Sequence, residues 1–287
     1  MNIRERIKNQ SKAKRIICPK LPLNMLVELT NWCNYACEFC NNKNMKRKKG
    51  NIDFENLKRI LLEAYEFGVQ EVGFHNVGEP LMYPYLIKAA KYAKDIGYNY
   101  VYTTTNGSLN VKGVGNVFDS LKFSINAGTR ETYKKIHKKD TFSKVIENLK
   151  YLSQFRPELK LYVSYCVMDA NRHEKEILKK LIENYVDDII YTEAHNQSDY
   201  MNNFEDKKKK CFQIFNRLNI TYEGYLDACC GDFEGNLIIA DLNKMSIKEA
   251  WKSKKFKQLR LRHINNNLKG IMCYNCLNNI DMIINKI

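Results

Sequence analysis

From residue 25 to residue 195 the apolar positions of the chain switch between two rhythms. Short runs of period two, or of unbroken apolar character, read as strands; longer stretches with apolar residues three and four apart read as helices. "MLVELT" (Met25 to Thr30) is the first strand. Asp53 then stands where a helix N-cap belongs, ahead of Phe54, Leu57, Ile60, Leu61 and Ala64 on one helical face. "VQEVGFHNV" is a second strand, Tyr85 to Ile96 a helix, "NYVYTTTNG" a third strand ending at Gly107, and "SLKFSIN" a fourth. Phe142, Val145, Ile146, Leu149 and Leu152 mark another helix, "LKLYVSYCVM" a fifth strand, Glu174 to Tyr185 a helix, and "DDIIYTEAH" a sixth strand. Strands alternating with helices imply parallel β/α units with right-handed crossovers. Six such units predict an α/β fold, a partial (β/α)6 barrel rather than a closed eight-fold one. The active site of such an architecture lies at the carboxyl ends of its strands.

After Lys210 the pattern changes. "CFQIFNRLNITYEGYLDACCGDFEGN" predicts a hairpin turning at Glu223-Gly224, and "SIKEAWKSKKFKQLRLRH" a helix opened by Ser246. The expected division is a basic N-terminal extension (1–22), a partial barrel (23–205) and a small C-terminal α+β domain (206–287). The run Lys207 to Lys210 reads as an exposed linker between the last two.

Composition narrows the class. No apolar run reaches the length of a membrane span, and "MNIRERIKNQSKAKRI" lacks the apolar core of a signal peptide, so a cytoplasmic protein is expected. The net charge of +15 would suit a polyanionic partner, but the lysines are scattered along the whole chain. They read as a solvated face, and no nucleic-acid or membrane partner is expected. Ten cysteines in a reducing compartment point to metal ligation rather than disulfides.

Three of them, Cys33, Cys37 and Cys40, fall in the loop after the first strand, and the next is Cys166. Three thiolates on a 4Fe–4S cube leave one iron open to a substrate or cofactor. Zinc is the alternative, with its fourth ligand brought from elsewhere. At these residues the chain resembles the radical S-adenosylmethionine superfamily: Cys33-x3-Cys37-x2-Cys40 directly after a first strand, with aromatic Phe39 before the last cysteine. The resemblance implies that S-adenosylmethionine chelates the open iron and is cleaved to a 5′-deoxyadenosyl radical that abstracts hydrogen from substrate.

Three further stretches fit. "NVGEP" follows strand two, where the family carries Gly-Gly-Glu. Val77 replaces the first glycine, Gly78 keeps the second, and Glu79 is implied to accept a hydrogen bond from the methionyl ammonium. "TTTNG" ends strand three, where relatives contact ribose, which makes Thr105 and Asn106 candidates. "FSINAGTRETY" ends strand four and looks like the family's Ser-x-Asp segment. There Ser124 is expected to line the pocket, and Asn126 to hydrogen-bond the cofactor in place of the acid. Arg130 faces a carboxylate or is solvated.

The order Cys211, then Gly224-x4-Cys229 on a hairpin, then a helix with Trp251, then Cys273-x2-Cys276 resembles the auxiliary-cluster extension of these enzymes, in the short form called twitch; the longer form is called SPASM. One auxiliary 4Fe–4S cluster is implied, held by Cys211, Cys229, Cys273 and Cys276, with Cys229 preferred to Cys230 because it holds the Gly-x4-Cys position. A structural zinc on the same thiolates is the alternative. Cys18 reads as a bystander. In "LYVSYCVM" alternation puts Leu161, Val163, Tyr165 and Val167 on one face and Tyr162, Ser164, Cys166 and Met168 on the other. The first face suits packing on helices, so Cys166 is expected inside the barrel, as a hydrogen donor to a substrate radical or as a small core residue.

The short form is similar to that of aminocyclitol dehydrogenases. Residues 1–22 are fewer than a leader-binding domain, and the C-terminal Gly-Gly of molybdopterin-synthesis relatives is missing. The expectation is oxidation or epimerisation of a small polar metabolite, sugar or aminocyclitol-like, with a flavodoxin or ferredoxin-type electron donor. The alternatives are a peptide or protein maturase whose leader-binding partner is separate, and a zinc-binding nucleic-acid protein.

Overall fold

A computed structural model describes residues 3–6, 14–193 and 211–277. The expected boundary at 205/206, the run Lys207 to Lys210, and Ala194 and His195 of the sixth strand lie outside the described residues. Six parallel strands form the first part of one sheet: β1 (Asn24–Val27), β2 (Glu71–Gly73), β3 (Tyr100–Thr105), β4 (Ser120–Ser124), β5 (Lys160–Val167) and β6 (Asp188–Glu193). Helix α1 (Phe54–Glu66) joins β1 to β2, and α2 (Leu86–Asp95) joins β2 to β3. Between β4 and β5 the chain forms α3 (Arg130–His137) and α4 (Phe142–Ser153), and α5 (Lys175–Ile182) precedes β6. Asp53 caps α1 as expected, its Oδ1 accepting from the Asn56 N–H at 2.9 Å. Leu57, Ile60, Leu61 and Ala64 of that helix are buried, as the helical rhythm requires. The second strand is shorter than its apolar run, because the chain turns away from the sheet at the Asn76–Pro80 motif.

The alternation in β5 is reproduced in burial. Leu161, Val163, Tyr165 and Val167 are buried, whereas Ser164 and Cys166 are half-buried on the other face. Tyr162, on that second face, is buried too.

The C-terminal part extends the same sheet. After a short helix α6 (Gln213–Asn216) come β7 (Arg217–Ile220), β8 (Tyr225–Asp227) and β9 (Ile238–Asp241). The strand order is β6-β5-β4-β3-β2-β1-β7-β8-β9. β7 lies parallel to β1, with Asn24 opposite Arg217 and Val27 opposite Ile220. β7 and β8 make the expected hairpin, with Gly224 at φ +86° in its turn. Among the described residues the sheet stays open, with β6 and β9 at its edges.

The stretch expected as one helix from Ser246 is two, α7 (Ile247–Lys252) and α8 (Lys254–Ile264). The break is Ser253, whose hydroxyl caps the second helix at the Phe256 N–H, 3.3 Å away. A last short helix, α9 (Met272–Leu277), carries Cys273 and Cys276. Arg260 of α8 is fully buried, lies over the rings of Trp251 (4.0 Å) and Phe256 (3.7 Å), and donates to the Ile214 and Trp251 carbonyls. It thereby ties α8 to the segment that follows Cys211. Arg260→Met keeps the volume and loses these bonds, and should lower stability by about 2–4 kcal/mol. A urea unfolding midpoint unchanged from the parent protein would contradict that role.

Candidate active site

The chain leaves β1 at its carboxyl end and folds back as a loop held almost entirely by its own polar groups. Asn31 donates to the Lys48 carbonyl and accepts from the Gly50 N–H, both at 2.8 Å. Asn42 donates to the carbonyls of Asn31 and Val77, each at 2.9 Å, which fastens the loop to the turn after β2. Lys49 reaches into the loop and donates to Asn42 Oδ1 at 2.8 Å. Within this frame Cys33, Cys37 and Cys40 are half-buried. Burial raises the Cys33 thiol to about 11, with the negative charges of Glu79 and Cys40 adding to the effect. Cys37 is raised further, by burial and then by its two neighbouring sulfurs. Three thiols that repel one another as thiolates are the donor set a cationic iron core would stabilise, so the loop fits a cluster.

Cys37 Sγ lies 3.2 Å from Nδ1 of His137, a buried residue at the end of α3. The Phe39 ring, partly exposed, meets the same imidazole edge-on at 6.0 Å. Sequence reading missed His137; a lone histidine on an amphipathic helix carries no signal of its partner.

The turn after β2 presses on the cysteine loop. A Cβ on Gly78 would stand 2.3 Å from the Thr30 carbonyl oxygen and 2.6 Å from that of Trp32, so only glycine fits. Glu79 follows, buried, its own N–H donating to the Trp32 carbonyl at 2.8 Å. Its Oε1 accepts from the Leu81 N–H and the Thr105 hydroxyl (3.0 and 2.6 Å), and its Oε2 from the Asn106 N–H at 2.7 Å. Burial raises this carboxyl, opposed by the three hydrogen bonds. Oε2 keeps acceptor capacity for one more donor, which fits an ammonium group. Thr105 and Asn106, expected at ribose, are committed to Glu79 and to the loop, where Asn106 Nδ2 donates to Asn34 Oδ1 at 2.8 Å.

At the end of β4, Ser124 Oγ lies 3.3 Å from Ser164 Oγ of β5. Asn126 is buried and bridges the strands: its Oδ1 accepts from the Cys166 N–H at 2.7 Å and its Nδ2 faces His137 Nε2 at 3.4 Å. Its amide is therefore engaged within the protein. Arg130 pairs with Asp140 on the surface, at 2.7 and 3.0 Å.

The second set of cysteines also converges. Burial raises Cys211 to about 11, and the charges of Cys276 and Cys230 add to it; Cys273 is raised by burial and then by Cys211 and Cys276. Cys229 and Cys230 lie within hydrogen-bond reach of each other, and this contact, with burial, raises the Cys229 thiol while the same contact lowers that of Cys230. Cys229 Sγ accepts from the Gly231 N–H at 3.3 Å, as cluster-ligand sulfurs do, whereas Cys230 Sγ donates to Gln213 Oε1 at 3.2 Å. Asp232 shapes this loop by accepting from the backbone of Glu234, Gly235 and Leu237. Cys18 is exposed and stands apart. Among the described residues no three His, Cys, Asp or Glu side chains close on a single metal ion. Ligands of a cube bind different irons and have no such point to share.

Between the two sets lies a group of polar side chains that alternation alone flags only weakly. Glu28, Asn219 and Asp227 are buried, and Arg47 bonds to Glu28. Glu28 Oε2, Arg47 Nε, both polar atoms of Asn219 and Asp227 Oδ2 have no hydrogen-bond partner among the described residues. Burial lifts the Glu28 carboxyl to about 7 against the pull of Arg47.

The profile of the radical SAM superfamily matches residues 27–190, and that of a SPASM iron-sulfur cluster-binding domain matches residues 211–277. The chain belongs to the radical SAM superfamily, and with the two domains come S-adenosylmethionine and two 4Fe–4S clusters. A probable GTP 3′,8-cyclase of Saccharolobus islandicus is 32% identical over 133 residues, which is 44% of this chain and 42% of that protein. The match thus spans less than half of that relative. Streptococcus suis SuiB bound to precursor peptide SuiA superposes with a TM-score of 0.69 at 13% identity, over 89% of this chain and 69% of that one. BtrN in complex with AdoMet and 2-DOIA superposes with a TM-score of 0.56 at 19% identity, over 85% and 88%. Likeness at these identities is likeness of fold.

Proposed function

We propose that this radical SAM enzyme oxidises a small polar metabolite, sugar or aminocyclitol-like, at a carbon–hydrogen bond. The observation that carries the reading is a row of polar side chains on one face of strands β3 to β6, continued on the same sheet by buried polar groups at β1, β7 and β8. Thr104, Lys122, Ser124, Ser164 and Thr192 alternate there with the buried apolar residues of the opposite face. Past them stand the unsatisfied donors and acceptors of Asn219, Asp227 and Glu28. Buried polar atoms without partners favour a ligand rich in hydroxyl or amino groups.

In this reading Cys33, Cys37 and Cys40 hold the first cluster, and Cys211, Cys229, Cys273 and Cys276 the second. When bound, these groups and S-adenosylmethionine supply a 5′-deoxyadenosyl radical for hydrogen abstraction and a sink for the substrate's electron. Glu79 receives the methionyl ammonium; Thr105 and Asn106, which also bond to Glu79, stand where ribose is contacted, and Asn126 offers its amide to the cofactor. Gly78 lets the turn lie against the cysteine loop. Ser124 lines the pocket, and Phe39, just before the last cysteine of the loop, contacts the cofactor. Cys166 is a small residue of the inner wall. A flavodoxin or ferredoxin-type donor suits the net charge of +15, since opposite charge steers the encounter of an acidic electron carrier.

The test is reconstituted protein in heavy water with sugars and aminocyclitols, with GTP, and with peptides as separate arms. The expected result is 5′-deoxyadenosine together with a polar metabolite that has lost two hydrogens, unaffected by Cys166→Ala. Product of unchanged oxidation state carrying one solvent deuterium, abolished by Cys166→Ala, would instead make the enzyme an epimerase. Turnover confined to GTP or to peptide would overturn the substrate class.

A further inference from the structure

His137 is not explained by packing alone. It is buried at the end of α3, and both ring nitrogens face specific partners. Nε2 faces Asn126 and Nδ1 faces Cys37. Which nitrogen carries the hydrogen follows from the neighbours.

Asn126 is oriented by Cys166. The Cys166 backbone N–H can only donate, and it points at Oδ1 of Asn126, 2.7 Å away. That fixes the orientation of the Asn126 amide, so the other end, facing His137 Nε2 at 3.4 Å, is the NH2 group. Nε2 therefore presents its lone pair, and in the neutral ring the hydrogen sits on Nδ1. Nδ1 lies 3.2 Å from Cys37 Sγ, within the distance of an N–H···S bond. Asn126 is itself held from behind: Asn171 Nδ2 donates to its backbone carbonyl and to that of Cys166, both at 2.8 Å. The ring has little freedom to turn, since the Tyr133 ring lies 4.2 Å from it, and the rings of Tyr35 and Phe39 flank it.

We infer that His137 is a positioning residue for the first cluster: its Nδ1–H donates to the Cys37 thiolate and makes a cluster held there easier to reduce. A hydrogen bond to a ligand sulfur stabilises the more negative, reduced state more than the oxidised one, and so raises the reduction potential. The chain Cys166 N–H, Asn126, His137, Cys37 also runs from the inner wall of the barrel to the cluster. It couples the wall at β5 to the tautomer of the ring. The inference rests on the reading of Cys37 as a cluster ligand.

The experiment is done on reconstituted holoprotein, in which the first cluster is recognised by the change of its reduced-state paramagnetic signal on adding S-adenosylmethionine. With histidine labelled by nitrogen-15, that signal should carry an imidazole nitrogen coupling and one strongly coupled proton that exchanges in heavy water. Both should be lost in His137→Phe, whose midpoint potential should fall; His137→Gln, which keeps an N–H donor, should recover part of the shift. Absence of both couplings in the labelled native protein overturns the inference, whether or not the Phe variant takes up iron. An unchanged potential in an iron-loaded His137→Phe overturns it as well. Failure of the underlying reading looks different: Cys37→Ala would then keep the S-adenosylmethionine-responsive signal.

Discussion

Replacing Cys33, Cys37 and Cys40 together with Ala should halve the iron of the reconstituted protein, from about eight per chain to about four, and abolish S-adenosylmethionine cleavage. The reason is local. The loop between Thr30 and Gly50 is fixed by Asn31, Asn42 and Lys49 rather than by its thiols, so the fold survives the loss of all three sulfurs. The remaining iron should sit with the C-terminal cysteines, whose frame comes from Asp232 and the β7–β8 hairpin. The measurements are iron and sulfide content and the yield of 5′-deoxyadenosine under a strong reductant. Cleavage that persists in the triple variant would remove the basis of the assignment. An iron content falling to zero would mean that the two sets do not load independently.

Gly78→Ala should be nearly as damaging, although it adds one methyl group. The new carbon would meet backbone rather than a pliable side chain: the carbonyl oxygens of Thr30 and Trp32, and the Asn31 Cα at 2.9 Å. Either the turn or the cysteine loop must move by about an ångström, and displacement on that scale at a reacting centre costs about a hundred-fold in rate. The bond from the Glu79 N–H to the Trp32 carbonyl would go with it. We expect S-adenosylmethionine cleavage to fall by about that factor, with the C-terminal cluster intact. Val77→Gly, which restores the family's first glycine, should leave cleavage near the parent level. A Gly78→Ala enzyme with parent activity would show the loop to be far more yielding than its hydrogen bonds suggest.

Much of this was legible in the chain itself. The alternation through Leu161, Val163, Tyr165 and Val167 gave the outer face of β5 because a strand has a fixed period. Asp53 gave the start of α1, and Glu223-Gly224 the hairpin turn, because caps and turns are local chemistry. What the sequence hid is non-local. Nothing in "NRLNI" says that its partner is β1, since apolar periodicity marks a face and never a neighbour. Ser253 looked like one more polar position on a helix, and its competition with the backbone shows only in three dimensions. The tie between Cys37 and His137 joins residues a hundred positions apart. Glu28 went unremarked in an apolar strand, because its surroundings are Arg47, Asn219 and Asp227, which other elements supply.

The parallel pairing of β1 with β7 bears on how the protein is made. The ribosome delivers β1 roughly 190 residues before the strand that covers its edge, a separation typical of slow, non-local assembly. Through most of synthesis the strand that leads into the first cysteine loop is an uncovered edge, open to pairing with other chains. A truncation ending before Cys211 should yield aggregated protein, because the cut removes the strand that closes β1 as well as the second cluster.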